Sequence, residues 1–296
     1  MVGPTPDELG IAGYAHIVNA CCRGVWCAES PVVRPSFDPN NPDTYHVEQW
    51  LGQGAFGTVS IVTAENGTRV MAVKMASSGK EAALRNEVDV LNKLGIHRNI
   101  VTLFGMLEPT SAWEPVRFFM EYVGGGTIAA LAQSLAGVSE EEARAIIRQL
   151  LYGLEHIHAQ KVIHRDIKGA NILISPTGCV KIADLGISRI HIGDAKSFAG
   201  SGPYIAPEVY TGSRYDSKID LWSVGGVIVE ILHGTHPWAG IPAMSLCLKV
   251  SRFEFPKPDK VSPTLENLFS KVFCAPNDRH SATMLLGHPW LTTSAA

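Results

Sequence analysis

The chain has 296 residues, 46% of them apolar and 18% charged, with a formal net charge of −3; this supports a sizeable core, in one domain of two lobes or two small domains, and lacks the basic stripe of a nucleic-acid binder. Its 6 cysteines and 11 histidines fall into no zinc-type spacing, although Cys21, Cys22 and Cys27 come nearest, so free thiols in a reducing compartment are expected, cytoplasmic with nuclear shuttling left open. No window holds the roughly 18 uninterrupted apolar residues of a transmembrane segment, and Met1 to Gly10, with Asp7 and Glu8 and no basic start, does not read as a signal peptide.

Residues 1–44 carry the weakest signal. Ile11 to Cys22 predicts a short apolar helix, and Pro31, Pro35, Pro39 and Pro42 predict an extended linker. The Cys21-Cys22 pair reads either as an acylation or redox site or as part of a helix packed on a neighbouring lobe; the packed helix is the expectation. From Tyr45 the pattern sharpens. His46 to Leu51 alternates as a strand does, and Gly52-Gln-Gly54-Ala-Phe-Gly57 follows. Glycines so spaced let backbone N–H groups approach a phosphate closely. Alone the motif is weak, because a hairpin turn or a dinucleotide-binding loop reads similarly. A dinucleotide loop wants a helix next, whereas Thr58 to Ala64 is β-rich. Val70 to Lys74 then sets a lysine in an apolar strand, either snorkelling from an edge or serving a site.

Lys80 to Leu94 predicts a helix with Leu84, Val88 and Leu91 on its apolar stripe, and it offers Glu81 and Glu87 as partners for Lys74. Strands are predicted at Thr102 to Leu107 and Val116 to Met120. Ser139-Glu-Glu-Glu142 is a capping box opening a long helix whose apolar face runs from Ile146 to Ile157. Ile219 to Leu232, with Asp220 and Glu230 inside it, predicts a buried helix rather than a transmembrane one.

The densest stretch runs from Val162 to Arg189. Three short β-branched runs, Val162-Ile163, Ile172 to Ile174 and Val180 to Ile182, each stop at a loop or turn signal. Asp166, Lys168, Asn171 and Asp184 stand at the strand ends. A buried strand end has no structural use for four such groups, because unpaired charge there is costly, and loops on a rigid scaffold are where chemistry resides.

His164-Arg165-Asp166, Lys168 and Asn171, followed by Asp184-Leu185-Gly186, resemble the catalytic and metal-binding loops of eukaryotic protein kinases, with Leu185 where the family has Phe. The order glycine loop, strand, lysine matches the same family. The run His-Arg-Asp-Ile-Lys-Gly-Ala-Asn-Ile-Leu, with Met120-Glu-Tyr-Val-Gly-Gly-Gly126, resembles the serine/threonine class and within it the mitogen-activated protein kinase kinase kinases and their sterile-type relatives.

The resemblance implies an α+β, bilobal kinase fold over residues 45–291. A small β-rich N-lobe with one key helix (about 45–120) precedes a larger helical C-lobe (about 124–291), flanked by an N-terminal extension (1–44) and a short tail (292–296). It implies ATP and Mg2+ as cofactors. Asp166 would orient and accept the substrate proton, Lys168 would meet the γ-phosphate, and Lys74, held by Glu87, would orient the α- and β-phosphates. Asn171 and Asp184 would ligate the metal. The nucleotide would lie against Leu51, Gly52, Gly54, Gly57 and Val59 from above. Ala72, Met120 and Leu173 would flank it, and the backbone of Glu121 and Val123 would bond the adenine. Ser197 and Ser201 are the regulatory phosphosite candidates, Arg165 being the cation to grip a phosphate; for Ser201 a structural contact with Asp166 and Lys168 is read first. Asp220 would anchor the catalytic loop, and Arg279 would pair with Glu208 of Ala206-Pro207-Glu208. Thr127 and Ala170 stand where arginine-directed kinases have acidic residues, so no strong demand for arginine upstream of the target is expected. The partners implied are protein substrates with a serine or threonine hydroxyl and an upstream kinase or activating partner. The alternative is a pseudokinase scaffold, which loss of Lys74, Asp166 or Asp184 would favour; all three are present.

Overall fold

The computed structural model describes residues 6–22, 45–54, 56–64, 70–111, 113–190, 198–258 and 260–292. The expected Pro-rich linker, Cys27 and Ser197 lie outside these residues. The N-lobe is a five-stranded antiparallel sheet of β1 (Tyr45–Gln53), β2 (Gly57–Ala64), β3 (Val70–Ala76), β4 (Leu103–Leu107) and β5 (Arg117–Glu121), ordered β1-β2-β3-β5-β4. Strand β3 is flanked on both sides, with Lys74 opposite Val59 of β2 and Phe118 of β5. Lys74 is therefore no edge residue. Because side chains alternate along a strand, Met71 and Val73 join Tyr45, Val62, Leu107 and Phe119 in a small cluster on one face. Ala72 and Lys74 point to the other.

Helix α2 (Glu81–Leu94) packs that other face, burying Leu84, Glu87, Val88, Val90, Leu91 and Leu94. Leu84, Val88, Leu91 and Leu94 belong to the predicted stripe; Val90 is buried in addition, and Glu87 is the polar exception. Beyond β5 the chain enters α3 (Ile128–Ser134), capped by Thr127, and α4 (Glu140–Ala159). Both halves of the capping box are made at α4: Ser139 Oγ accepts from Glu142 N, and Glu142 accepts from Ser139 N at 2.7 Å. Two small antiparallel pairs follow, β6 (Val162–Ile163) with β9 (Arg189–Ile190) and β7 (Ile172–Ile174) with β8 (Val180–Ile182). Strand β9 falls where the sequence reads as loop, since two residues carry no detectable periodicity.

The C-lobe continues with α5 (Pro207–Tyr210), α6 (Lys218–His233), α7 (Ala243–Ser251), α8 (Pro263–Val272), α9 (Ala282–Leu286) and α10 (Pro289–Thr292). Helix α6 is buried from Ile219 to Ile231 and ends at Gly234, whose φ of 74° closes the helix in the left-handed region. No described helix is long and apolar enough to cross a membrane.

Helix α1 (Pro6–Cys22) begins earlier than the sequence pattern suggests and is interrupted at Gly10. It packs on α3 and α4, burying Tyr14, Ile17, Val18 and Cys21, as a helix docked on the C-lobe does. Its end rests on the turn between β7 and β8. A Cβ at Gly178, where φ is +83°, would collide with Cys21 N and stand 2.7 Å from its Cα. Burial pushes the Cys21 thiol up to about 12, which makes it a packing residue rather than a reactive one.

Candidate active site

The site lies where the N-lobe sheet, α2 and the loops after β6 and β8 converge. Lys74 Nζ, 5% exposed as a residue, donates to Glu87 Oε2 at 2.6 Å and to Asp184 Oδ1 at 2.8 Å. Burial works against its charge, but the carboxylates of Glu87 and Asp184 outweigh that and hold its pKa above the ordinary lysine value. Of the two glutamates offered by α2, Glu87 makes the pair, while Glu81 stays in the first turn accepting from Gly79 N. Glu87 also spends its other oxygen: Leu185 N–H donates to Oε1 at 3.2 Å. Helix, β3 lysine and metal loop thus share one carboxylate.

Asp166 is the centre of the loop that follows β6. Its Oδ2 accepts from Lys168 Nζ and from Asn171 Nδ2, both at 2.8 Å, and its Oδ1 accepts from Ser201 Oγ at 2.7 Å. Lys168 Nζ also donates to Ser201 Oγ at 2.7 Å, so the hydroxyl of Ser201 is tied to both members of that pair. Burial pushes the Asp166 carboxyl up, yet the Lys168 ammonium and the Ser201 hydroxyl prevail and hold it below the usual carboxylate value.

Helix α6 slings the loop between two buried carboxylates. Asp220 accepts from His164 N at 3.0 Å and Arg165 N at 2.9 Å, and ten positions on Glu230 accepts from Gly169 N at 2.9 Å. A Cβ at Gly169 would stand 2.8 Å from Glu230 Cδ and 3.0 Å from Ala129 N, so a side chain there has to displace the carboxylate that holds the loop. Arg165 and Asp184 hold left-handed backbone, φ 71° and 60°, which costs a non-glycine residue about 1 kcal/mol or more and persists only where surroundings over-determine it. Arg165 itself donates to Ile187 O at 2.7 Å and to Tyr215 OH at 3.3 Å.

The residues expected on the nucleotide side fall on the strands and the connection bordering this centre. Gly57 pairs with Ala76 in the β2–β3 ladder, and Phe56, at the tip of the glycine loop, stands with its ring centroid 5.9 Å from Lys74 Nζ. Leu51, Gly52 and Val59 are half-buried on β1 and β2, Gly54 is exposed, and Ala72 is buried next to Lys74. Met120 is the last residue but one of β5, and Glu121 N donates back to Thr102 O at 2.9 Å, with Val123 buried just beyond. Ile174 N donates to Gly126 O at 3.0 Å, fastening the exit of this connection to β7, with Leu173 half-buried between buried Ile172 and Ile174.

Asn171 and Asp184 suit a hard divalent cation by their donor chemistry. Asn171 Nδ2 is spent on Asp166, on its backbone oxygen at 2.9 Å as well as its carboxylate, so the amide presents its oxygen on the opposite side. Asp184 keeps a quarter of its side chain exposed.

Several side-chain contacts follow from no sequence motif. Glu121 extends its carboxylate to Lys181 Nζ at 3.0 Å, tying the interlobe connection to β8. Gln149, fully buried on α4, donates to Gly178 O at 3.0 Å and to Cys21 Sγ at 3.1 Å and accepts from Val180 N at 3.0 Å. Asn86 reaches from α2 to the metal loop. Their common signal is a polar residue on a helix or strand that packing claims, which names an anomaly but no partner.

Residues 45–291 match the protein kinase domain family. The chain is 35% identical to serine/threonine-protein kinase dst1 of Dictyostelium discoideum, covering 86% of this chain and 36% of that protein. It is 33% identical to mitogen-activated protein kinase kinase kinase 2 of Arabidopsis thaliana (94% and 46%). Identity to the human mitogen-activated protein kinase kinase kinase 3 is 32% (86% and 43%). The chain spans less than half the length of each of these relatives.

Proposed function

The chain belongs to the protein kinase domain family, and from that premise we propose that it transfers the γ-phosphoryl group of ATP to serine or threonine hydroxyls of protein substrates within a signalling cascade. The observation that carries the proposal is the assembled charge cluster, Lys74 held by Glu87 at 2.6 Å and by Asp184 at 2.8 Å, beside an ionised Asp166.

Phosphoryl transfer asks the protein for positioning and charge neutralisation more than for covalent chemistry. Lys74 supplies a fixed cation for the nucleotide phosphates, preorganised because two carboxylates already hold it. Asp166 accepts a hydrogen bond from the incoming hydroxyl and orients its lone pair. As a carboxylate held below its ordinary pKa it is a weak base, so it takes the proton only once bonding to phosphorus has made that oxygen acidic. Lys168, 2.8 Å from Asp166, is placed to meet charge on the transferred group. A bound Mg2+ would be held by Asn171 and Asp184 and would neutralise phosphate charge. Similarity to the three relatives supports the serine/threonine class and the cascade setting. An upstream kinase acting on Ser197 is part of the proposal; unchanged activation in Ser197→Ala would remove that part.

The test is transfer of radiolabel from ATP to a generic protein substrate with magnesium, for wild type, Asp166→Ala and Lys74→Met. Label on serine or threonine that requires both residues supports the reading. Wild type no better than the two variants, even when isolated phosphorylated, would replace it with a scaffold.

A further inference from the structure

Asn86 lies on α2 beside Glu87 and sends its amide into the metal loop. Nδ2 stands 3.1 Å from Ser188 O, 3.2 Å from Gly186 O and 3.4 Å from Leu185 O. Two N–H bonds serve the two nearer carbonyls, with the third sharing. The neighbouring Glu87 makes the complementary contact, accepting from Leu185 N. One turn of α2 therefore grips the segment after Asp184 with a donor and an acceptor at consecutive positions. Asparagine is a poor choice inside a helix, since its amide competes for local backbone; here that amide is committed to residues about 100 positions away.

We propose that Asn86 is a positioning residue for Asp184: it fixes the backbone that follows Asp184 in register with α2. Asp184 itself sits in left-handed backbone, φ 60°, and the carbonyls that Asn86 holds belong to the residues that follow it. The apolar side of the joint is Leu185, fully buried in the main core. Leucine packs without direction, whereas the Asn86 amide fixes orientation. The Asn86 amide is committed to the carbonyls of Leu185, Gly186 and Ser188, so it acts through the backbone that carries Asp184.

The activity arm of the test rests on the proposed phosphotransfer; the main arm does not. Hydrogen–deuterium exchange is measured on the full chain without nucleotide for wild type, Asn86→Ala and Asn86→Asp. Alanine is the better helix former, and aspartate keeps the shape while turning a donor into an acceptor that faces carbonyls. Exchange across residues 185–188, where the amides of Leu185 and Ser188 are bonded, is expected to quicken roughly tenfold in Asn86→Ala and further in Asn86→Asp, with α4 and α6 unchanged. In parallel, the magnesium concentration for half-maximal phosphate transfer is expected to rise by a similar factor, with KM for the protein substrate unchanged. Wild-type exchange across 185–188 in both variants overturns the assignment whatever the activity. Loss of protection spreading to α4 and α6 also overturns it, showing a residue that merely supports the fold. A wild type without phosphotransfer refutes the proposed function, and the exchange data then decide Asn86 alone.

Discussion

Arg279 offers a stability prediction whose size follows from the structure. Its guanidinium is 1% exposed as a residue and donates to both oxygens of Glu208, at 2.6 and 3.1 Å, and to the carbonyls of Lys218 at 3.0 Å and Cys274 at 2.9 Å, while lying 5.2 Å over the Trp222 ring. Arg279→Met fills comparable volume but leaves the Glu208 carboxylate buried without its cation. Breaking a buried pair from one side costs about 3–5 kcal/mol, a large part of the total stability of a domain. At roughly 2–4 °C per kcal/mol for a chain of this size, the melting temperature should fall by roughly 10 °C. Arg279→Lys keeps the charge but cannot fork to two oxygens and two carbonyls, so about 2 kcal/mol is expected. Arg279→Met combined with Glu208→Leu removes both charges and should recover part of the loss, because the penalty resides in the orphaned carboxylate. Urea unfolding of these four proteins and of Glu208→Leu alone measures this. A cost under about 1 kcal/mol for Arg279→Met, or a double variant no better than the sum of its parts, would refute the reasoning.

Other expectations concern the loops. Gly178→Ala puts a Cβ into the backbone of Cys21 and should undock the end of α1. Alkylation at pH 8 followed by peptide mapping should modify exposed Cys22 in wild type and Cys21 only in the variant; Cys21 labelled equally in both would count against the docked helix. Gly169→Ala forces apart Gly169 and Glu230, so turnover should drop by about tenfold or more while nucleotide binding, read by thermal shift, stays near wild type. Asp166 has a folded-state pKa below its unfolded one, so its contribution to stability is complete above the unfolded carboxylate value and is lost as pH falls through the lower folded one. If Asp166 governs the acid limb of the rate, that limb lies below the ordinary carboxylate range, and Lys168→Met should move it upward; an unmoved limb in a variant that retains measurable turnover assigns it to another group.

The identity of the family, the strands of the N-lobe, the capped helix α4 and the buried helix α6 were all legible in the chain itself. The reason is that each rests on short-range rules: alternation in strands, a capping box three residues wide, and chemical groups crowded within a loop such as Asp166 to Asn171. The choice of Glu87 over Glu81 needed the family pattern, since helical spacing alone offered both. Tertiary structure alone decided which groups answer those motifs from afar. Asn86 meets Ser188, Glu230 meets Gly169, Gln149 meets Cys21 and Lys181 meets Glu121, pairs that local spacing cannot reveal because the polar member sits on a helix or strand whose pattern only says buried or exposed. Burial then makes each such group require a partner, and only the packing of α1, α2, α4 and α6 around the catalytic loop determines which partner that is.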